Sequence, residues 1–296
     1  MSKPQWWAES VLRPVRVSYK ASRVLAAVKT GHQHVVILEN EAFGRVLMLD
    51  GAVQTTTQDE FIYHEMLAHV PLFTHGNVRD VLIIGGGDCG LAEEILKHES
   101  LDTVTQVELD PDVVELSRRY LAQINAPVFS DKRFRLHYAD GAAFVRETQQ
   151  SFDVVLVDST DPFGAARVLF TPDFYLAARG RLRPGGVLVC QAGVPFVQAS
   201  IFSTTMRHLA TAFPVVDTYL AASPSYFGGS LAFGWASEDL KGNSVSLATL
   251  AERYAASGIR PRYYTPDVHT AAFVLPPYVE DMRNPERRDV KCDVPQ

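Results

Sequence analysis

Val81-Leu82-Ile83-Ile84-Gly85-Gly86-Gly87-Asp88-Cys89-Gly90 decides the fold. Four consecutive apolar residues suit a strand buried on both faces, and the helical spacing of Leu91 to His98 begins where the glycines end. Glycines 85, 87 and 90 satisfy G-x-G-x-x-G in the strand–turn–helix context that gives the motif its meaning: backbone without a Cβ can approach a nucleotide closely. Downstream, the same alternation continues. Thr103–Leu109, Phe134–Tyr138, Val154–Val157 and Val187–Cys190 read as strands, and Val113–Leu121, Ala142–Thr148 and Phe174–Leu182 as helices, the last ending at Pro184-Gly185-Gly186. Such repetition predicts an α/β fold, a Rossmann-like doubly wound and mostly parallel sheet with helices on both faces.

Upstream the texture differs. Val15–Tyr19, Val24–Lys29, His34–Leu38 and Val46–Leu49 are short β-type runs broken by Thr30-Gly31, Glu39-Asn40 and Asp50-Gly51, which predicts a small antiparallel sheet over residues 1–57. From Gln58 the spacing becomes helical, with Phe61, Ile62, Glu65, Met66, His69 and Val70 near one stripe and a stop at Gly76. Residues 58–281 then form the Rossmann-like domain, and the charged tail 282–296 is expected to be disordered.

The 296 residues, 47% hydrophobic and 21% charged, exclude a disordered chain, a fibre and a disulfide scaffold. No apolar run approaches the roughly 18 residues of a membrane span. Met1–Trp7 lacks the apolar core of a secretory signal, and three cysteines (Cys89, Cys190, Cys292) suggest no bridge pattern, so a cytoplasmic location is expected. With 28 basic against 34 acidic residues the net charge is -6, which disfavours nucleic acid and tolerates a cationic small molecule.

In open α/β sheets ligands bind beyond the carboxyl ends of the strands, and here those ends carry acids: Asp88, Glu108, Asp140, Asp158 and Asp161. Glu108, ending the strand after the glycine loop, is placed to accept bonds from ribose hydroxyls, which fits NAD and S-adenosyl compounds equally. Asp140-Gly141 is placed to bond an adenine amino group, an arrangement common among S-adenosylmethionine enzymes. Asp158-Ser159-Thr160-Asp161-Pro162 sets two carboxylates on one loop, and keeping both ionised in a partly buried pocket requires cations.

These residues resemble the polyamine aminopropyltransferases, the spermidine synthases in particular. The matching text runs from His32-Gln33 through Leu49-Asp50-Gly51, Gln54-Thr55-Thr56 and Asp59-Glu60-Phe61-Ile62-Tyr63-His64-Glu65-Met66 to the glycine loop. It continues through Asp140-Gly141, Asp158 to Pro162, Tyr226-Phe227-Gly228-Gly229, Trp235 and His269 to Pro276. The resemblance implies transfer of an aminopropyl group from decarboxylated S-adenosylmethionine, a co-substrate, to putrescine, with no metal or other cofactor and no membrane partner. It implies Asp158 as the catalytic acid–base residue with Tyr63 orienting. It places Gly85, Gly87, Gln33, Gln54, Asp88, Glu108, Asp140, Gly141 and Ala165 at the donor. His64, Asp88, Asp158, Asp161, Gln191, Tyr226 and Trp235 fall to the polyamine, with Tyr226 and Trp235 lining the diamine channel. It also implies a homodimer or homotetramer paired through the N-terminal sheet, whose edges a lone chain leaves open. Departures from the family pattern are Cys89 for glycine, Ala165 for proline and Arg167 for glutamate. An Arg167 facing the pocket would repel a distal ammonium, whereas one facing solvent would leave the channel acidic.

Simpler readings stand beside these. His64-Glu65-Met66-Leu67-Ala68-His69 misses the H-E-x-x-H zinc spacing by one residue, and Glu65 with His69 reads as a polar pair one helical turn apart. Cys89 at a helix start suits a thiolate, yet no resolving cysteine is near. The rival classes are an S-adenosylmethionine-dependent amine N-methyltransferase, an aminopropyltransferase with another acceptor, and a noncatalytic polyamine-binding protein.

Overall fold

The computed structural model describes residues 5–9 and 15–284. Strands β1 (Gln5–Glu9) and β2 (Val17–Ala21) pair antiparallel, and β3 (Arg23–Lys29), β4 (His34–Asn40), β5 (Gly44–Leu49) and β6 (Ala52–Thr56) form a four-stranded antiparallel sheet. The β5–β6 turn is Asp50-Gly51, with φ of 49° and 81°, the doubly left-handed backbone that a two-residue hairpin demands. Along β4 and β5, Val36, Leu38, Val46 and Met48 pack under Tyr19, while Val35, Ile37 and Leu47 pack on Val113, Leu121 and Ile124. Strands β1 and β6 are the two that the β-type runs did not predict.

The rest of the chain alternates. Helix α1 (Glu60–His75) leads to β7 (Asp80–Gly85), α2 (Gly90–Leu96), β8 (Thr103–Glu108), α3 (Pro111–Tyr120), α4 (Ala122–Asn125), β9 (Phe134–Tyr138), α5 (Gly141–Glu147) and β10 (Phe152–Asp158). Then come α6 (Pro172–Arg179), β11 (Leu182–Gln191), α7 (Ala199–Ala212), β12 (Val215–Ala221), β13 (Leu231–Ser237), α8 (Leu247–Ser257), α9 (Pro266–Ala272) and α10 (Pro277–Arg283). The sheet order is β12-β13-β11-β10-β7-β8-β9, parallel from β11 to β9, with β13 antiparallel to both its neighbours. Alternate residues of the central strands serve two cores: Val81, Ile83, Val154 and Leu156 face α1 and α2, whereas Leu82, Ile84, Val155 and Val157 face α5, α6 and α7. This is the mixed α/β, mostly parallel arrangement expected, and the double-sided burial explains why its strands are apolar without a break.

Four expectations need correction. Helix α1 is not a one-striped amphipathic helix, because residues 62–74 are all buried. Glu65 and His69 do not pair: Glu65 accepts backbone N–H bonds from Arg262, Tyr263 and Tyr264, each at 2.7 Å, and His69 lies against His98 and Glu94. Leu182 does not close a helix. It opens β11 opposite Phe152, and Pro184-Gly185-Gly186 forms an irregularity within that strand. Met282 and Arg283 belong to the last turn of α10, where Arg283 pairs with Asp217 at 2.6 Å and Glu280 at 2.9 Å; the tail beyond residue 284 lies outside the described residues.

The Glu65 contact ties α1 to the segment before α9 and leaves no alternative partner for three backbone donors. Glu65→Ala is expected to lower the unfolding free energy by about 3–5 kcal/mol, the order for removing a charged acceptor from several N–H groups. Urea denaturation measures it, and a loss below about 1 kcal/mol would mean that water or relaxation replaces the carboxylate.

Candidate active site

The carboxyl ends of β7, β8, β10 and β11 open into a cavity of about 500 Å³, roofed by residues from β1, β5, β6 and the 163–169 loop. Its floor is set by the pairing of β7 with β10, which places Gly85 opposite Asp158. Gly86 N–H donates to the Asp158 carbonyl at 2.7 Å. A Cβ on Gly85 would collide with that same carbonyl oxygen, and its φ of 89° is one that a side chain resists, so glycine is required twice over. Gly87 leaves room for the Glu108 carboxylate, which a Cβ would approach at 3.1 Å, and Gly141 leaves room for Ile84. Cys89 takes φ 61° where the family usually has glycine, which explains that preference. Its thiol is fully buried and pushed up by burial and by Asp88, so the thiolate expected from the helix start is not favoured.

Above the glycine loop, Glu108 accepts Asp110 N–H at 2.9 Å, and Asp110 in turn holds the Gln33 amide at 3.0 Å. Asp140 caps α5 through Ala143 N–H at 2.9 Å. Tyr63 donates to Asp158 Oδ1 at 2.7 Å and packs edge-on to Tyr226, whose hydroxyl donates to the Gln54 carbonyl at 2.6 Å. Asp161 accepts the Gln198 amide at 2.6 Å, and the Gln191 amide reaches the Ser159 carbonyl at 3.3 Å. The structure therefore brings Gln33, Gln54, Tyr63, His64, Gly85, Gly87, Asp88, Glu108, Asp140, Gly141, Asp158, Asp161, Ala165, Gln191 and Tyr226 to one cavity.

It does not bring Trp235. That indole is fully buried in β13, with its N–H donating to the Leu240 carbonyl at 2.8 Å, so the expected channel residue is a core residue. The apolar composition of residues 231–236 around it suits such a core position. Arg167 is exposed and outside the lining, which leaves the channel acidic. Among the polar lining residues that sequence reasoning did not assign to a site are Glu9, on the unpredicted strand β1, Asp50, read only as a turn, and Gln198, the loop residue that orients Asp161. The only sequence signal for Glu9 is an acid closing the aromatic run Trp6-Trp7-Ala8. Gln198 offers none.

Seven carboxylates line the cavity (Glu9, Asp50, Asp88, Glu108, Asp140, Asp158, Asp161), and among the described lining residues His64 is the one basic side chain. Burial pushes Glu9 and Glu108 up to about 7 and Asp88 to about 6, and it raises Asp158 and Asp161 as well. The His64 charge pulls Asp88 and Asp158 back down, and the Tyr63 hydroxyl assists at Asp158. Such a cavity favours a cation.

A carboxyl or imidazole that holds its proton more tightly in the fold than in the unfolded chain loses stability for the fold as pH rises from the unfolded value to the folded one. For Glu9 and Glu108 that window ends near 7, and for His64, raised to about 10, it runs from about 6.5 upward. The buried His98 and His269, lowered to about 3 and about 4, act in the opposite sense but are finished by about pH 6.5. The ligand-free protein is therefore expected to lose thermal stability between about pH 6.5 and 9, measured by melting temperature at constant ionic strength; a flat or rising profile would contradict this charge inventory.

Residues 60–247 match the Spermine/spermidine synthase domain, and residues 5–57 the Spermidine synthase tetramerisation domain. A polyamine aminopropyltransferase of Ruegeria sp. (strain TM1040) is 48% identical over 95% of this chain and 99% of its own. One from Pectobacterium atrosepticum is 46% identical over 94% and 97%. Among solved structures, spermidine synthase in complex with the transition state analogue AdoDATO superposes with a TM-score of 0.89 at 36% identity, covering 95% of this chain and 96% of that one. The Thermotoga maritima spermidine synthase gives 0.86 at 35%, covering 95% of each. The likeness extends over nearly the whole length, N-terminal sheet and Rossmann-like domain together, and the chain belongs to the spermine/spermidine synthase family of polyamine aminopropyltransferases.

Proposed function

We propose that this protein moves the aminopropyl group of decarboxylated S-adenosylmethionine to putrescine, giving spermidine and 5′-methylthioadenosine. The observation that carries the reading is the pairing of a nucleotide-type glycine loop with seven carboxylates around one cavity. A sulfonium donor bearing an ammonium arm and a diammonium acceptor together supply the missing positive charge. Glu108, Asp140, Gly141, Gln33 and Gln54 take the adenosine and methylthio portion. Asp88 takes the ammonium of the aminopropyl arm, and its buried carboxylate repels the α-carboxylate of intact S-adenosylmethionine. At the far end Asp161, Gln191 and Glu9 hold the distal ammonium of the acceptor.

The donor arrives activated, so the protein's task is orientation and one proton. The neutral nitrogen of the acceptor attacks the carbon bonded to sulfur; a carbon–nitrogen bond forms, the carbon–sulfur bond breaks, and its electron pair neutralises the sulfonium to a thioether. The proton shed by nitrogen passes to Asp158, whose raised proton affinity narrows its gap from an amine. Tyr63 fixes which Asp158 oxygen is free.

Incubation with decarboxylated donor and putrescine is expected to give methylthioadenosine and spermidine by mass spectrometry, undiminished by chelators. Methylated product from intact S-adenosylmethionine would refute the reading. Asp158→Asn is expected to lower kcat by about 10² to 10⁴, while Glu108→Gln raises the donor KM. Near-normal turnover in Asp158→Asn with collapsed donor affinity would reverse these roles.

The match of residues 5–57 to a tetramerisation domain and the 60% exposed Trp6 on β1 support an assembly of two or four chains. With no helix among the described residues long and apolar enough to cross a membrane, and with Cys89 and Cys190 free and buried, a cytoplasmic setting is the natural one. Light scattering is expected to show a dimer or tetramer; a lone 32.8 kDa species at micromolar concentration would refute the assembly.

A further inference from the structure

The one basic side chain among the described lining residues, His64, is held from outside the cavity. Glu60 opens α1 and does not line the pocket, yet its Oε2 lies 2.7 Å from His64 Nδ1, one helical turn on. The opposite ring nitrogen, Nε2, faces Asp88 Oδ1 at 3.6 Å. The ring cannot swing away: it is 2% exposed, its edge meets Tyr63 at 5.4 Å, and it fills the space that a Cβ on Gly90 would need. A neutral imidazole donates from one nitrogen only and would aim a lone pair at an anion on the other side, whereas the imidazolium donates from both.

We propose that Glu60 is a positioning residue that acts through His64, fixing the imidazolium against Asp88 so that the cavity holds a resident cation among its carboxylates before any substrate enters. Among the described residues the charged groups facing the ring are all acidic: Glu60 from α1, Asp88 from the glycine loop and Asp158 from β10, with the Tyr63 hydroxyl beside them. On α2, Glu93 faces Glu60 but is paired with Lys97 at 2.9 Å. Burial by itself would drive the proton from His64, and the three carboxylates more than offset it, keeping the ring charged to about 10. In return the imidazolium favours the ionised forms of Asp88 and Asp158. An empty site that kept no cation would protonate the group that must accept a proton. Glu60 thereby sets the charge state of Asp158 without touching substrate.

The activity half of the test rests on the aminopropyl-transfer reading, and the spectroscopic half does not. Histidine ¹⁵N NMR of the ligand-free protein is expected to show both His64 nitrogens protonated at pH 8, and Glu60→Gln to shift the ring's titration to lower pH. A neutral His64 at pH 8 in the unaltered protein would overturn the proposal, and that result needs no variant to fold. So would a ring titration unmoved in Glu60→Gln. In kinetics, the acidic limb of kcat/KM is expected to move up by about one pH unit in Glu60→Gln, with the alkaline kcat plateau kept within about threefold and Glu60→Asp restoring most of the shift. Adding Glu60→Gln to His64→Gln is expected to shift the limb no further, whereas additive shifts would show that Glu60 acts by another route. The expected ring behaviour in a protein that transfers no aminopropyl group would support Glu60's hold on His64 and refute the reaction.

Discussion

The parallel pairing of β7 with β10 puts Gly85 against the Asp158 carbonyl, closer than any Cβ allows. The rest of the site takes its position from that contact. It brings the nucleotide loop and the Asp158 carboxylate onto adjacent strand ends at the point where the sheet order reverses, and the crevice opens there. Because Gly86 bonds the same carbonyl, neither strand end can move without the other. Helix α1, buried along residues 62–74, then delivers Tyr63 to Asp158 and His64 to Asp88 from a single turn.

Such rigidity has an electrostatic cost. Carboxylates that water would hold apart and solvate are gathered in a cavity of about 500 Å³, where each raises its neighbours' affinity for protons. Backbone donors offset part of this at Asp88 and Glu108, as does the Gln198 amide at Asp161. The remainder is left for cations, one resident at His64 and the others arriving with substrate. A preference for cationic ligands and reluctance to stay fully ionised when empty are thus one property of the site.

Much of this was legible in the sequence because period and punctuation are local signals. Unbroken apolar runs marked β7 and β10, and Asp50-Gly51 marked the end of β5. The strand-end acids marked the cavity before its walls were known. What stayed hidden depends on long-range contact. Glu65 is a turn from His69 along the helix, but its partners lie almost 200 residues on, at Arg262 to Tyr264. Trp235 lies in an apolar run that composition assigns to the core; only the family pattern drew it toward the pocket, and burial in β13 decides for composition. Glu9 reaches the cavity through a strand pair that no periodicity over five residues could announce.

The departures from the family pattern fall where the structure tolerates them, and this bears on how far they alter the acceptor. Arg167 is exposed on the short helical turn Gly164–Phe170 and outside the cavity lining, so its charge meets solvent rather than the cavity. Ala165 lines the cavity but is itself exposed, and losing a proline there frees loop backbone without changing the acids below it. Cys89 keeps the left-handed backbone that glycine would adopt and buries its thiol away from the ligand face. None of the three adds a charged side chain to the cavity lining or removes one of its acids, so the acidic character of the site rests on residues that the departures leave untouched.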